Sequence, residues 1–434
     1  MAEVVPFRAW RYDQSRVALE RVVTQPYDKI TPEMQLRYYD ASPHNLVRII
    51  LGKHNSADHT GENTYTRAAA TFQNWRRDGV FLPDPLQSFY QYVQRFSPPG
   101  GGPQLERWGF IGLGKIEDYS ANVVFRHEQT LAKPKADRLE LLRATRTHFE
   151  QIFMLYTDPG REIEGLLPRL TPPTMEARDE YGVLHQVWQV SDPAIVAQVS
   201  DKMRDHKLII ADGHHRYETA LAYRDERRAA AGAPASQTAP YDFMMMTFVN
   251  MDNPGLLILP THRVVHGLAS FSPDSFKAGA RSYFSVEEVD PSVDATRATA
   301  ILSRAGHSGT ALLAVTADRA FLLDTPKALG SNLFQGLSLR QQSLDVVQLH
   351  RCLLEGVLGI SEEATRHQRN ISYVRDAGEA LTLVRGGGAS VAFLLNPVHI
   401  RQVRDIAFAN EVLPQKSTDF YPKLLSGLAI YALE

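Results

Sequence analysis

Lys207-Leu-Ile-Ile-Ala-Asp212-Gly213-His214-His215-Arg216-Tyr217-Glu218-Thr-Ala-Leu-Ala-Tyr-Arg224 is the stretch on which the reading of this chain turns. The apolar run Leu208 to Ala211 predicts a buried strand, Asp212-Gly213 a turn, and Tyr217 to Ala231 a helix. A helix start has amide groups without intrahelical acceptors and the positive end of its dipole, so it favours an anion. Arg216 can fork onto a phosphate or carboxylate. His214 or His215 can move protons near neutral pH. Asp212 can hold a metal such as Mg²⁺ or accept a proton. The bland alternative is a helix start capped by Asp212 on a solvated face. So many polar residues directly after a buried strand favour a phosphate site beside a proton-transfer site. Adjacent histidines on a helix project about 100° apart, so one faces a ligand while the other packs or caps.

Outward from this stretch the chain alternates strands and helices, which predicts an α+β (mixed α/β) fold. Before it, Thr31 and Pro32 read as the N-cap and first residue of a helix. A second helix is expected over 61–78. Strands are expected over 88–96 and 108–116, joined by the Pro98-Pro-Gly-Gly-Gly-Pro103 loop. A charged helix over 135–147 follows, then strands over 152–156 and 183–190 and a helix over 192–206. Residues 229–239 read as a small-residue loop. Strands over 241–249, carrying Met244-Met-Met246, and over 256–259 read as a pair, the first buried in the core. From His262 onward a helix is expected over 273–280 behind Ser272, strands over 311–316, 319–323 and 391–395, and helices over 346–357 and 397–409. Two regions are expected: 1–260, with the phosphate-binding stretch, and 261–434, with a Lys-Ser-Thr loop.

With 434 residues and 44% hydrophobic and 22% charged content, the chain has room for several ordinary globular cores. A formal charge of −2 gives no electrostatic case for nucleic acid or a membrane surface. The single cysteine, Cys352, excludes a disulfide framework and a thiolate zinc site. The start lacks the apolar core of a signal peptide, and no run approaches the ~20 apolar residues of a membrane helix. A cytoplasmic protein acting on a small molecule is expected.

Three weaker candidate sites accompany the first. His127-Glu128 pairs a histidine with a carboxylate suited to general-base work, with Lys133, Lys135 and Arg138 downstream as phosphate-binding charge. Lys416-Ser417-Thr418 with Lys423 can hold phosphate oxygens or a metal, although it lacks the glycines of a P-loop. His262 and Arg263 follow a strand. Gly112-Leu-Gly114-Lys115 has neither the spacing nor the hydroxyl of a P-loop, and Gly386-Gly-Gly388 reads as a turn between strands. H-E-x-x-H and G-x-S-x-G motifs are absent.

Six motifs in order carry a resemblance. They are Gln25-Pro26-Tyr27-Asp28, Ser42-Pro43-His44-Asn45, His127-Glu128-Gln-Thr130 with Lys135-Ala-Asp137-Arg138, Ala211 to Tyr217, Leu259-Pro260-Thr261-His262-Arg263, and Pro414-Gln-Lys416-Ser417-Thr418 with Phe420-Tyr421-Pro422-Lys423. Together they resemble the bacterial and archaeal family known as domain of unknown function 1015, with Gln25 standing where a second proline is expected. The Asp212 motif alone resembles the nucleotide-binding signature of the ParB and sulfiredoxin superfold, whose free serine kinases carry a similar Asp-Gly-His-His-Arg run. That resemblance implies a ParB/sulfiredoxin-like nucleotide-binding core with an additional C-terminal α+β region. His214 stands where sulfiredoxin has its catalytic cysteine, which removes redox chemistry. The charge balance and the lack of a basic helix pair remove partition-type DNA binding.

The expectation is therefore a phosphotransferase on a small hydroxylated metabolite, with free serine the leading acceptor and a nucleotide or pyrophosphate the donor. Phosphoryl transfer asks mainly for clamping, a metal and an orienting base. Gly213, His214 and Arg216 would clamp phosphate. Asp212 would bind Mg²⁺ or orient the nucleophile, and Glu128 and His215 would move protons. Arg138, Lys416, Ser417, Thr418 and Lys423 would add phosphate contacts. Rival readings are a phosphatase or other hydrolase of a small phosphoester, a nucleotide-binding regulator without turnover, and a metal-dependent hydrolase using His127, His214 or His262.

Overall fold

The computed structural model describes residues 1–128, 133–168, 172–231, 238–327 and 333–434, except the side chains of Lys133 and Pro134. Thr130, the Lys133 side chain and the central part of the expected 229–239 loop lie outside the described residues. The chain is a mixed α+β protein forming two compact units. The first comprises Met1–Arg126, Thr130–Leu257 and Pro422–Glu434; the second comprises His127–Gln129 and Ile258–Tyr421.

The first unit is built on a large mixed sheet. In chain order its described strands are β1 (Val4–Val5), β2 (Phe89–Phe96), β3 (Leu105–Lys115), β4 (Val124–Phe125), β5 (Ile152–Tyr156), β6 (Met175–Arg178), β7 (Leu184–Val190), β8 (Leu208–Asp212) and β9 (Phe243–Asn250). They lie side by side as β4-β8-β5-β9-β3-β2-β7-β6, with β1 also pairing with β3. β8 runs parallel to β4 and antiparallel to β5, and β9 runs parallel to β5. β9 is buried along its whole length. One of its faces supplies Met244, Met246 and Phe248 to a core shared with Ile152, Met154 and Ile210, the alternation a strand imposes. Against that face pack helix α4 (Pro193–Met203), through Val199 and Met203, and helix α5 (His214–Ala231), through Tyr217 and Ala220. Helices α1 (Pro32–Ala41), α2 (Thr64–Arg77) and α3 (Lys133–Thr145) precede them.

Local rules place several boundaries. Thr31 accepts the Met34 amide and Pro32 opens α1. Asn63 forms a reciprocal capping box with Thr66, so α2 begins at Thr64, after the expected start at 61. The loop at 98–103 joins β2 to β3 in register from Phe96↔Leu105 onward. The run Gly112-Leu-Gly114-Lys115 lies inside β3, where a Cβ on Gly114 would overlap the Met246 sulfur. Small residues are needed there for packing.

Two expectations about 208–259 are corrected. Segments 241–249 and 256–259 do not pair with each other. Tertiary pairing inserts β9 between β5 and β3, while Ile258 and Leu259 belong to a strand pair of the second unit. Helix α5 starts at His214, a turn before its expected start at Tyr217, so both histidines and Arg216 form its first turn.

The second unit is an antiparallel sheet with helices. Its main strands are β10 (His262–Val265), β11 (Ser285–Val289), β12 (Ala311–Val315), β13 (Ala320–Asp324), β14 (Ile371–Val374) and β15 (Val391–Leu395), ordered β11-β13-β12-β15-β10-β14. Every neighbouring pair is antiparallel. Leu313, Val315, Ala392 and Leu394 share one core with Ala298 and Leu302 of helix α7 (Ala295–Gly306) and Leu381 and Val384 of helix α8 (Ala377–Arg385). Phe321 and Phe393, at alternate positions, meet Phe276 of helix α6 (Pro273–Ala280). Gly386-Gly-Gly388 follows α8, so it closes a helix and does not link two strands; Gly387 has a left-handed φ of 74° there. The expected apolar helix over 346–357 is an α-turn at Asp345–Gln348 continued by a π-helix at Leu349–Glu355. No described helix is long and apolar enough to cross a membrane.

Candidate functional site

In the first unit, β8 carries Asp212 to the sheet's end. Its pairing with β5 slips between Ile210 and Asp212, a bulge that re-aims the last residue. Gly213 follows with φ +96°, which lets the chain turn straight into α5. A Cβ at Gly213 would meet the Arg216 guanidinium at 3.1 Å, so the turn and the arginine are packed as one piece. Arg216 is buried, donates Nη1–H to the Gln151 carbonyl, and holds Nη2 4.0 Å from an Asp212 oxygen. His214 and His215 are half-buried on the same turn.

A second cation arrives from the far end of the chain. Lys423, with 9% of its side chain exposed, places Nζ 3.6 Å from Asp212 Oδ2. Its position follows from a cross-strand pair on the sheet. Gln94 of β2 lies opposite Arg107 of β3; Gln94 donates to the Lys423 carbonyl at 2.8 Å, and Arg107 donates to Gln94 and to the Pro422 carbonyl. Arg107 is fully buried, and burial pulls its guanidinium down to about 9. Beyond Lys423, the Leu425 amide donates to Tyr92 Oη and the Leu425 carbonyl accepts from Gln151. Isolated bridges Thr24↔Ser426 and Trp10↔Ile430 tie down the rest of this segment.

The turn Tyr27–Lys29, which starts in the Gln-Pro-Tyr-Asp motif and runs one residue past it, completes the cluster. Burial works to raise the Asp212 carboxyl. The charges of Lys423, Arg216, Lys29 and His214 overcome it and hold that carboxyl well below the usual carboxylate range. Burial likewise works to lower Arg216, and Glu150, Asp212 and Asp28 more than offset it. Glu150 accepts the Tyr27 amide at 2.9 Å and the Ser426 hydroxyl at 3.3 Å. Lys29, Asp28 and Glu150 were not expected at this site; the motif around Asp28 was the available signal. Gln25, at the expected proline, donates its side-chain amide to Asp179 Oδ2 at 3.1 Å. Arg138 is buried beneath the same turn, 4.2 Å from the Tyr27 ring centroid, with its donors on Asp137 and the Ile50 carbonyl.

The remaining candidates gather in the second unit. His127 is fully buried, and its Nε2 lies 2.7 Å from Thr418 Oγ1. Glu128 accepts the Lys416 amide at 2.8 Å, and Lys416 is exposed at a left-handed φ of 57°. The Lys416 carbonyl accepts from Arg263 Nη2, and the Ser417 hydroxyl donates to the Pro414 carbonyl within its own turn. His262 accepts the Leu395 amide at Nδ1, and burial lowers its ring to about 4, so it is a neutral ring serving the sheet. The first unit thus assembles Asp212, Gly213, His214, His215, Arg216 and Lys423. The second assembles His127, Glu128, Lys416, Ser417, Thr418 and Arg263, with His262 held by a structural bond there, while Arg138 is held by structural bonds in the first unit.

Among the described residues there is no group of three or more histidine, cysteine, aspartate or glutamate side chains that could hold a metal. Mg²⁺ binds through one or two carboxylates plus phosphate oxygens and waters. Asp212, the expected ligand, instead faces two cations. Its surroundings fit an internal counter-ion and do not fit a magnesium ligand.

No curated protein matches the chain. Among solved structures it is similar to a conserved hypothetical protein from Pyrococcus furiosus, at 11% identity and TM-score 0.35, covering 71% of this chain and 91% of that one. It is also similar to a free serine kinase in complex with AMP, at 11% identity and TM-score 0.34, covering 70% and 89%. A third is SbnI with a C-terminal truncation from Staphylococcus aureus, at 12% identity and TM-score 0.34, covering 73% and 85%. The sequence profile of one family matches residues 4–347, a span that includes the Asp212 motif and ends before Lys416 and Lys423. The chain belongs to that family, described as Protein of unknown function (DUF1015).

Proposed function

We propose that the first unit binds the phosphate of a small molecule at the start of α5, and that the protein is a phosphotransferase acting on a small hydroxylated metabolite. The observation that carries this reading is the convergence of Lys423 and Arg216, both largely buried, on Asp212 at the first turn of a long helix. Phosphate at that turn would meet the first-turn amides, the helix dipole and both cations. In this reading Asp212 is the counter-ion that keeps Lys423 and Arg216 in place before the anion arrives. His215, half-exposed on the same turn, is the proton-transfer group. The reading is built on the first unit alone and routes no step through a metal.

A nucleotide or pyrophosphate is the donor to test and free serine the acceptor, because the Asp-Gly-His-His-Arg run resembles that of free serine kinases. A ParB/sulfiredoxin-like core for the first unit belongs to the same proposal. The test is calorimetry of the full chain with ADP, ATP and pyrophosphate, and phosphorus NMR of each mixture with serine. Binding with formation of phosphoserine supports the reading. Phosphate release from phosphoserine without transfer redirects it to a phosphatase, and binding without turnover to a regulator. No binding of any of the three donors ends it.

A further inference from the structure

We propose that the second unit carries a separate pocket for a neutral aromatic-ring compound with a hydrogen-bonding edge, formed at the π-helical turn Leu349–Glu355. The inference is independent of the phosphate reading, which concerns other residues. The cavity measures ≈ 160 Å³. One wall comes from the π-helical turn, through His350, Arg351 and Glu355, while Leu349, Cys352, Leu353 and Leu354 of the same turn are buried in the core. Facing walls include Tyr373, Val412 and Leu413. π-helical turns are rare and concentrate at functional positions, and this one divides its residues between core and cavity.

Three features define the occupant. First, His350 Nε2 is buried and has no hydrogen-bond partner among the described residues. Buried polar atoms are nearly always paired, so a polar edge on a ligand would complete this one. Burial, reinforced by the charges of Arg263 and Arg351, lowers the ring to about 3, so His350 is a neutral imidazole offering one N–H and one lone pair. Second, the charged lining groups neutralise each other. Arg351 pairs with Glu355 at 3.0 Å and Glu362 at 3.3 Å, and Arg366 pairs with Glu362 at 3.2 Å. Two arginines face two glutamates, which leaves no net charge to recruit a phosphate or carboxylate. Third, the volume suits a small ring: an apolar cavity of ~150 Å³ accepts benzene. The remaining lining is largely aliphatic, with Leu337, Val347 and Ile360 alongside the Tyr373 ring.

The test uses the full chain with indole, phenol and benzene as probes, followed by saturation-transfer NMR and calorimetry. Indole and phenol are expected to bind at millimolar concentration or below, and more tightly than benzene. His350→Phe keeps the ring and removes Nε2; it is expected to weaken indole and phenol at least tenfold and leave benzene unchanged. Val412→Trp, which fills the cavity from a half-buried wall position, is expected to abolish binding of all three while the circular dichroism spectrum is retained. Absence of indole and phenol binding to the parent protein overturns the proposal. So does binding that both variants leave unaltered. Pyrophosphate affinity, measured on the same samples, is expected to be the same in parent and variants.

Discussion

Replacing Gly213 with alanine tests whether the turn and the anion site are one device. The parent φ of +96° is one that residues with a Cβ rarely adopt, at a cost of about 1–3 kcal/mol. The added methyl would lie 3.1 Å from Arg216 Cζ, Nε and Nη2, so the guanidinium has to move by a few tenths of an ångström. It cannot do so freely, because Nη1 donates to the Gln151 carbonyl and Nη2 lies near Asp212. Weakening a charged hydrogen bond of that kind adds roughly 1 kcal/mol or more. The sum is about 2–4 kcal/mol, which, at about 2.1 cal/mol/K of unfolding entropy per residue of a unit this large, corresponds to a fall in Tm of roughly 4–7 °C. Displacement of Arg216 is also expected to lower pyrophosphate affinity at least tenfold. Gly165→Ala is the control: among the described residues nothing lies within 4 Å of its Cβ position, in the helix Glu162–Leu166. That change is expected to be neutral or to stabilise by about 0.5–1 kcal/mol. Thermal unfolding and pyrophosphate calorimetry on both variants decide the matter. A Gly213→Ala protein with the parent's Tm would refute the packing argument. One with a lowered Tm and unchanged pyrophosphate affinity would refute the site.

Three other perturbations follow from the same geometry. Lys423→Met removes the cation 3.6 Å from Asp212 and leaves the carboxylate less compensated; since Asp212 keeps 22% of its side-chain exposure, solvent screening limits the loss to about 1–3 kcal/mol. Urea unfolding measures that loss, and pyrophosphate affinity is expected to fall at least tenfold. Burial raises the Asp345 carboxyl to about 7 from its ordinary 3.8, so between those values the folded chain binds more protons than the unfolded one. That contribution is full below the unfolded value and is lost as pH rises through 7. Asp345→Asn is therefore expected to be about 2–4 kcal/mol more stable than the parent at pH 8 and to show no such gain near pH 4. Burial lowers His148 to about 4, so its contribution is present above 6.5 and is lost as pH falls toward 4. His148→Phe, which keeps a ring stacked on Tyr431, is expected to flatten unfolding midpoints between pH 6.5 and 4.

How much of this was legible in the chain depends on the range of the interaction. Thr31 with Pro32 and Ser272 with Pro273 announce helix starts because a cap and its amide lie three residues apart. The Met244–Met246 run reads as core because a strand buried on both faces is apolar at every position. The neighbour of that strand was another matter. Proximity in sequence predicts a hairpin with 256–259, whereas β9 gains more by filling the gap between β5 and β3, where both of its edges are paired. At the site, the strand, the turn and Arg216 were legible because they are contiguous. The buried pairing of Lys423 with Asp212 was not. It depends on Gln94, inside the expected strand over 88–96, and on Arg107, one residue before the expected strand over 108–116, both of which the fold buries to hold the carbonyls of Lys423 and Pro422. The π-helical turn escaped for the opposite reason. Its residues have ordinary helical spacing from Val346 onward, and only tertiary packing chooses an extra residue per turn. Both parts that escaped rest on polar groups, Arg107 and His350, placed out of water at positions where apolar residues would pack more simply. A chain can bear that cost where the group holds a needed loop or meets a ligand. Arg107 does the first, and His350 is assigned the second by the pocket it lines.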